Sequence, residues 1–137
     1  MTSITINLGD AFLLDTPPTR QHLYIAIAQI SEDNYLFVNV TSRRPNSEIS
    51  CILLPGADVP KFIVNESVIA YQFAREINGT ELAGLITPGS PIPKGTCSSD
   101  ILEQIQQGGL ASKRLRNGYK TALKNFLGVI DTDSTST

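Results

Sequence analysis

Tyr35-Leu36-Phe37-Val38-Asn39-Val40-Thr41-Ser42-Arg43-Arg44 is an apolar run, rich in β-branched and aromatic residues, that ends abruptly in two hydroxyls and two guanidinium groups. Such a run reads as a buried strand that delivers a polar cluster to its mouth. Adjacent arginines following Thr41 and Ser42 offer planar, permanently charged forks beside small hydroxyl donors, a set suited to phosphate or carboxylate groups. The plainer alternative is a hairpin end that happens to be polar.

Working outward, the flanking segments repeat the pattern of short apolar runs between turn signals. Leu23-Tyr24-Ile25-Ala26-Ile27-Ala28-Gln29-Ile30 precedes the central strand, joined to it by Ser31-Glu32-Asp33-Asn34 as a hairpin turn. Upstream, residues 4–14 alternate, break at Gly9-Asp10 and resume as an apolar run, which predicts two short strands or one bent strand. Residues 15–20 contain Pro17-Pro18 and are expected to form a loop. Downstream, Pro45-Asn46-Ser47-Glu48 is a turn and Ile49-Ser50-Cys51-Ile52-Leu53-Leu54 a fourth strand. Residues 61–73 are expected to form two further strands interrupted at Asn65-Glu66-Ser67, and Asn78-Gly79 a turn before a short strand at residues 82–86. This spacing predicts a mainly β protein with C-terminal helices (α+β), built on a small antiparallel barrel or curved sheet plus two helices.

The last third changes period. Ser98 or Ser99 caps a helix with Ile101, Leu102 and Ile105 on one face, which Gly108-Gly109 is expected to stop. A second helix is expected from about Ser112 to Gly128, with Leu115, Tyr119, Ala122, Leu123, Phe126 and Leu127 as its apolar stripe. Lys113, Arg116, Lys120 and Lys124 then share its other face, with Arg114 near by. That face is either a solvated surface or a footprint for an RNA backbone or an acidic partner. The folded unit is expected to span residues 1–130. Residues 131–137, Asp131-Thr132-Asp133-Ser134-Thr135-Ser136-Thr137, read as a disordered polar tail.

Composition narrows the function classes. The chain has 137 residues, 41% hydrophobic and 18% charged, with a net charge of −2, so it is one domain with no global attraction for nucleic acid. RNA binding would have to come from a local patch. Cys51, Cys97 and a single histidine match no metal-ligand spacing, so no metal and no cofactor are expected. There is no apolar run near the ~18 residues of a membrane span and no secretion-signal pattern, which predicts a soluble, cytoplasmic protein with reduced thiols and no membrane partner. The Asn-X-Ser/Thr triplets at Asn39, Asn65 and Asn78 then carry no meaning for glycosylation.

With the strands placed, Gly9-Asp10 near an apolar strand, the proline loop, a strand ending in Val40-Thr41-Ser42, and a later segment carrying Glu66-Ser67 resemble the PemK/MazF-like toxins over approximately residues 8–75. The resemblance implies an SH3-like barrel with helices and a metal-independent endoribonuclease acting on single-stranded RNA. It also implies a bacterial toxin-antitoxin system, with a homodimer neutralised by an antitoxin peptide. Thr41 stands at the family's active-site threonine or serine. Where the family places Arg-Pro at the start of the second strand, this chain has His22-Leu23.

The groups present can still serve metal-free RNA cleavage, which needs a base for the ribose 2′-hydroxyl, a cation for the phosphorane oxygens and an acid for the leaving 5′-oxygen. His22 is a candidate base or acid, Arg43 or Arg44 the oxyanion stabiliser, and Thr41 a catalytic hydroxyl. Arg20, Ser42, Glu66 and Ser67 are candidate binding groups, together with Lys113, Arg116, Lys120 and Lys124. Asp10 and Tyr71 are supporting candidates, with a local turn bond and a core position as their respective alternatives. The competing reading is a non-catalytic SH3-like module that docks RNA or a protein.

Overall fold

A computed structural model of the chain describes residues 3–16 and 20–129. Its centre is a curled, six-stranded antiparallel sheet, a half-barrel, with three helices. The strands are β1 (Asp10–Thr16), β2 (Arg20–Gln29), β3 (Asn34–Ser42), β4 (Ile52–Leu53), β5 (Ser67–Asn78) and β6 (Gly95–Thr96), and the helices α1 (Gly79–Leu85), α2 (Ser99–Ala111) and α3 (Asn117–Leu127). The sheet order is β4-β5-β3-β2-β1-β6, so β2 and β3 are its two middle strands. Their apolar sequences follow from that position: a strand paired on both sides and covered on both faces carries large side chains on both parities.

Two clusters occupy the two faces. On one face Leu23, Ile25, Ile27, Leu36, Val38, Ile69 and Tyr71 pack with Leu53, Ile105, Leu115 and Leu123, so that α2, α3 and the segment around β4 cover the sheet. On the other, Phe12, Leu14, Tyr24, Ala26, Phe37 and Ile77 pack with Ile6 and Leu82, brought in by the N-terminal segment and α1. Phe12 and Phe37 meet edge to face with centroids 6.0 Å apart, a favoured aromatic geometry.

Several expectations need correction. Residues 4–8 form no strand; Gly9 turns the chain into β1 at φ 93, where a side chain is disfavoured. The loop between β1 and β2 is shorter than the prolines indicate, because Asp15 and Thr16 continue the ladder opposite Gln21 and Arg20. The fourth strand shrinks to Ile52 and Leu53, and residues 61–66 form none, leaving Ile49, Leu54, Phe62 and Val64 exposed. β5 instead runs on through Asn78, which caps α1 rather than forming a turn. Asn78 accepts from the Glu81 backbone N–H, and Glu81 accepts from that of Asn78, a capping box.

Among the described residues there are three helices rather than two, because α1 takes up most of residues 82–86, where a short strand was expected. Ser98 caps α2 as expected, but Gly108-Gly109 does not end it. Both glycines lie inside the helix because a Cβ on Gly108 would collide with Tyr71 and with the backbone of Ser50, and one on Gly109 would stand 2.8 Å from Leu123. Glycine is kept there for close packing, at a cost in helix propensity of about 1 kcal/mol each. α3 starts five residues later than Ser112. Ser112 is fully buried, its hydroxyl accepts from the N–H groups of Arg114 and Leu115, and Leu115 is drawn into the core, so residues 112–116 are an irregular connection. Lys113 and Arg116 therefore lie outside the helix that carries Lys120 and Lys124. Gly128 ends α3 as expected. The tail, residues 131–137, lies outside the described residues.

Candidate functional site

Along the second face of the sheet, the apolar cover stops half-way. Phe12, Leu14, Ala26 and Phe37 lie under α1 and the N-terminal segment, but the same parity continues as Thr16 on β1, Tyr24 and His22 on β2, Asn39 and Thr41 on β3, and Val68, Ala70 and Gln72 on β5. These residues line an open cleft of about 480 Å³ whose rim is completed by Ser42 at the end of β3, by Arg44, Asn46, Ser47 and Glu48 after it, by Phe73, and by Arg114. The register puts Tyr24 opposite Asn39 and Leu23 opposite Val40, so the next step sets His22 beside Thr41. On the other side Asn39 faces Ala70 and Thr41 faces Val68.

A break in the β3–β5 ladder shapes the rim. Phe37 pairs with Arg75 and Asn39 with Ala70, so two steps on β3 correspond to five on β5. The extra residues bulge, as bulges do where a strand must re-aim side chains. Gln72 and Phe73 come out exposed beside the cleft, with Phe73 58% accessible. The Phe73 carbonyl accepts a long bond, 3.5 Å, from the Tyr24 hydroxyl. Burial raises the Tyr24 phenol, opposed by the nearby Arg75 guanidinium, so Tyr24 stays a neutral donor at physiological pH.

The loop after β3 is held by a second set of bonds. Ser47 and Arg44 close a turn, with the Arg44 N–H donating to Ser47 Oγ at 2.8 Å and the Ser47 N–H to the Arg44 carbonyl at 3.0 Å. Glu48 accepts from Ser112 Oγ at 2.7 and 2.9 Å and from the Lys113 N–H at 3.1 Å, and Arg114 Nη2 donates to the Asn46 carbonyl at 3.4 Å. The α2–α3 connection thus buttresses the rim, and Glu48 is engaged by donors rather than left as a bare charge facing the two rim arginines.

Of the residues singled out from sequence, His22, Thr41, Ser42 and Arg44 are brought together at the cleft mouth. Arg43 is not. Its Nη1 meets Glu66 Oε2 at 2.5 Å and its N–H donates to the Glu66 carbonyl, so two candidate groups are tied to each other and neither lines the cleft. Ser67 donates to the Asn65 carbonyl and lines a smaller recess on the other side of the β3 end, which His22, Thr41, Ser42 and Arg44 also border. Arg20 pairs through its backbone with Thr16. Lys120 donates to the Ser112 carbonyl, and Lys113, Arg116, Lys120 and Lys124 contribute nothing to the cleft lining. Asp10 accepts from Thr96 Oγ1 at 2.9 Å and fixes β6 to β1, while Tyr71 is a core residue whose hydroxyl donates to the Ile105 carbonyl at 2.7 Å.

Sequence reading missed Asn39, Tyr24, Gln72, Phe73 and Arg114. The available signal was parity: Asn39 and Thr41 are the polar members on one face of an otherwise apolar strand. Asn39 is 4% exposed in the cleft floor, and its Nδ2 has no hydrogen-bond partner among the described residues. Among the described residues no three His, Cys, Asp or Glu side chains gather as a metal-holding group, and no helix is long and apolar enough to cross a membrane.

No family model matches the chain, and no curated protein does. Among solved structures, an endoribonuclease in complex with its cognate antitoxin, from a mycobacterial species, superposes over 93% of this chain and 99% of that chain, with a TM-score of 0.52 and 13% sequence identity. The chain therefore shares the fold of that endoribonuclease over the matched length. At this identity the likeness is one of fold.

Proposed function

We propose that this protein is a toxin-type endoribonuclease that binds single-stranded RNA in the cleft and cleaves it without a metal ion. The observation that carries this reading is the convergence of His22, Thr41, Ser42 and Arg44 on one mouth, from two adjacent strands and the loop after them. The shared fold with an endoribonuclease supports it.

The chemistry assigns each group a role. His22 takes the proton of the ribose 2′-hydroxyl or gives one to the leaving 5′-oxygen. The 2′-oxygen attacks phosphorus, the P–O5′ bond breaks, and the products are a 2′,3′-cyclic phosphate and a 5′-hydroxyl. Arg44 meets the extra negative charge on the phosphorane oxygens, and the Thr41 and Ser42 hydroxyls orient the phosphate by donating to it. Arg114 supplies a second guanidinium for the backbone of the strand entering along the rim. The mycobacterial neighbour is bound to an antitoxin, and we extend the reading to an antitoxin partner, a homodimer and a cytoplasmic setting for this chain.

Incubation of purified protein with end-labelled single-stranded RNA in excess EDTA tests the reading: cleavage should persist, leave cyclic-phosphate ends and disappear in His22→Ala. A second reading, an RNA-binding module without cleavage, draws on the His22-Leu23 that replaces Arg-Pro and on the withdrawal of Arg43 into its pair with Glu66. Binding that weakens as salt rises, with no cleavage under any condition, would establish that alternative.

A further inference from the structure

The groups assigned to phosphate chemistry occupy the mouth of the cleft and leave its floor without a role. There, Asn39 is almost wholly buried, yet its Nδ2 donor has no partner among the described residues. Buried donors are nearly always paired, and an orphan calls for a specific cause, such as a ligand group that completes it. Tyr24 flanks Asn39 on one side and Ala70 on the other, giving a flat, largely apolar floor. At the rim, next to the β5 bulge, Phe73 is 58% accessible and lines the cleft.

We infer that Asn39 and Phe73 form a nucleobase subsite: the base next to the scissile phosphate stacks on Phe73 and places an acceptor edge on the Asn39 amide. The inference rests on the RNA reading of the cleft and adds to it the residues that select sequence. An aromatic face accepts any base, whereas an amide with a free donor distinguishes bases by their edges. The Nδ2 atom is itself buried in the free protein, and the Asn39 χ2, a broad and roughly two-fold torsion, lets the amide turn its donor to an incoming acceptor. The division of labour follows: Arg44 and His22 hold and cleave, Phe73 holds a base, and Asn39 chooses it.

The test uses the full chain and a set of short single-stranded oligoribonucleotides that differ at one position beside the mapped cleavage site, with an abasic residue as one member. The wild type should prefer one base there, and the abasic oligonucleotide should bind roughly 5- to 150-fold more weakly, the range for one stacked base. In Phe73→Ala that abasic penalty should vanish, and Phe73→Tyr should restore it; the ring is exposed, so folding is not at issue. Asn39→Leu should keep the penalty but flatten the preference among the four bases. His22→Ala should lose cleavage while keeping the base preference in binding. An unchanged base preference in Asn39→Leu together with an unchanged abasic penalty in Phe73→Ala, with RNA still bound and cut, overturns the subsite and leaves the endoribonuclease reading standing. A wild-type protein that neither binds nor cuts any of the oligonucleotides overturns both.

Discussion

Replacing Asn39 by leucine should make the free protein more stable. Leucine has nearly the branched outline of asparagine, so the floor between Tyr24 and Ala70 keeps its shape, while the buried Nδ2 without a partner disappears. An unsatisfied buried donor costs about 1–3 kcal/mol, and among the described residues the Asn39 Nδ2 has no hydrogen bond whose loss would offset the gain. A gain of about 2 kcal/mol, at a urea dependence of ~2 kcal/mol per molar, moves the unfolding midpoint up by ~1 M. Most substitutions in a core strand destabilise, so the sign alone is informative. Urea titration followed by circular dichroism measures it. A loss of about 1 kcal/mol or more in Asn39→Leu would mean that the amide is satisfied in solution, and the floor would then present no free donor to a base. Stability gained together with base preference lost is the signature of a residue kept for binding at the expense of the fold.

Three further outcomes follow from the packing and the charges. Arg44→Ala should lower RNA cleavage about 10²–10³-fold, the loss of one transition-state donor, whereas Arg43→Ala, whose ion pair with Glu66 is over 40% exposed on both sides, should leave the rate within a few-fold and cost at most ~1 kcal/mol; equal effects would refute the separation of the two arginines. Leu123→Ala, at a fully buried position against Gly109, should cost about 2–5 kcal/mol by chemical denaturation, and an unchanged midpoint would show that α3 does not pack on the sheet. Burial pushes the Cys51 thiol from 9.0 up to about 11 and the Cys97 thiol up to about 12. Unfolded thiols ionise first as pH rises, so the stability they confer is complete below about pH 8.5–9 and falls through pH 11–12, by about 1.4 kcal/mol per pH unit for each thiol. Unfolding free energies that stay level from pH 8 to 10.5 would refute this.

The elements that could be read from sequence are those whose local signals and tertiary needs agree. β2, the turn at residues 31–34 and β3 combine continuous apolar runs with an unambiguous polar turn, and both strands are central, so burial on two faces enforces the pattern. The edges were illegible for the converse reason. β4 and β6 are two residues each and are set by what pairs with them, while apolar residues such as Ile49, Leu54 and Val64 look like strand and remain exposed. Gly108-Gly109 reads as a stop because sequence records the propensity cost and not the aromatic side chain lying against the helix. At the site, the string Thr41-Ser42-Arg43-Arg44 was visible, but not that Glu66, twenty-three residues on, removes Arg43 from it.

The cleft itself arises from an incomplete covering of one face of the sheet. Along β1 the inward parity runs Phe12, Leu14, Thr16; along β2, in the same spatial direction, Ala26, Tyr24, His22; along β3, Phe37, Asn39, Thr41. The change from apolar to polar is staggered across the sheet: Asn39 shares a row with Tyr24 and Phe12, the next row sets Thr41 and His22 beside Leu14, and β1 turns polar only at Thr16. At a sheet end that merely emerged into solvent, polar floor residues would be exposed. Here Asn39 and Thr16 remain buried although polar, and the bulge in β5 turns Phe73 and Gln72 to the same opening. Polar groups on one face of three adjacent strands, a rim fixed by Glu48 and Ser112, and an unpaired donor beneath it are what a preformed polar binding site requires.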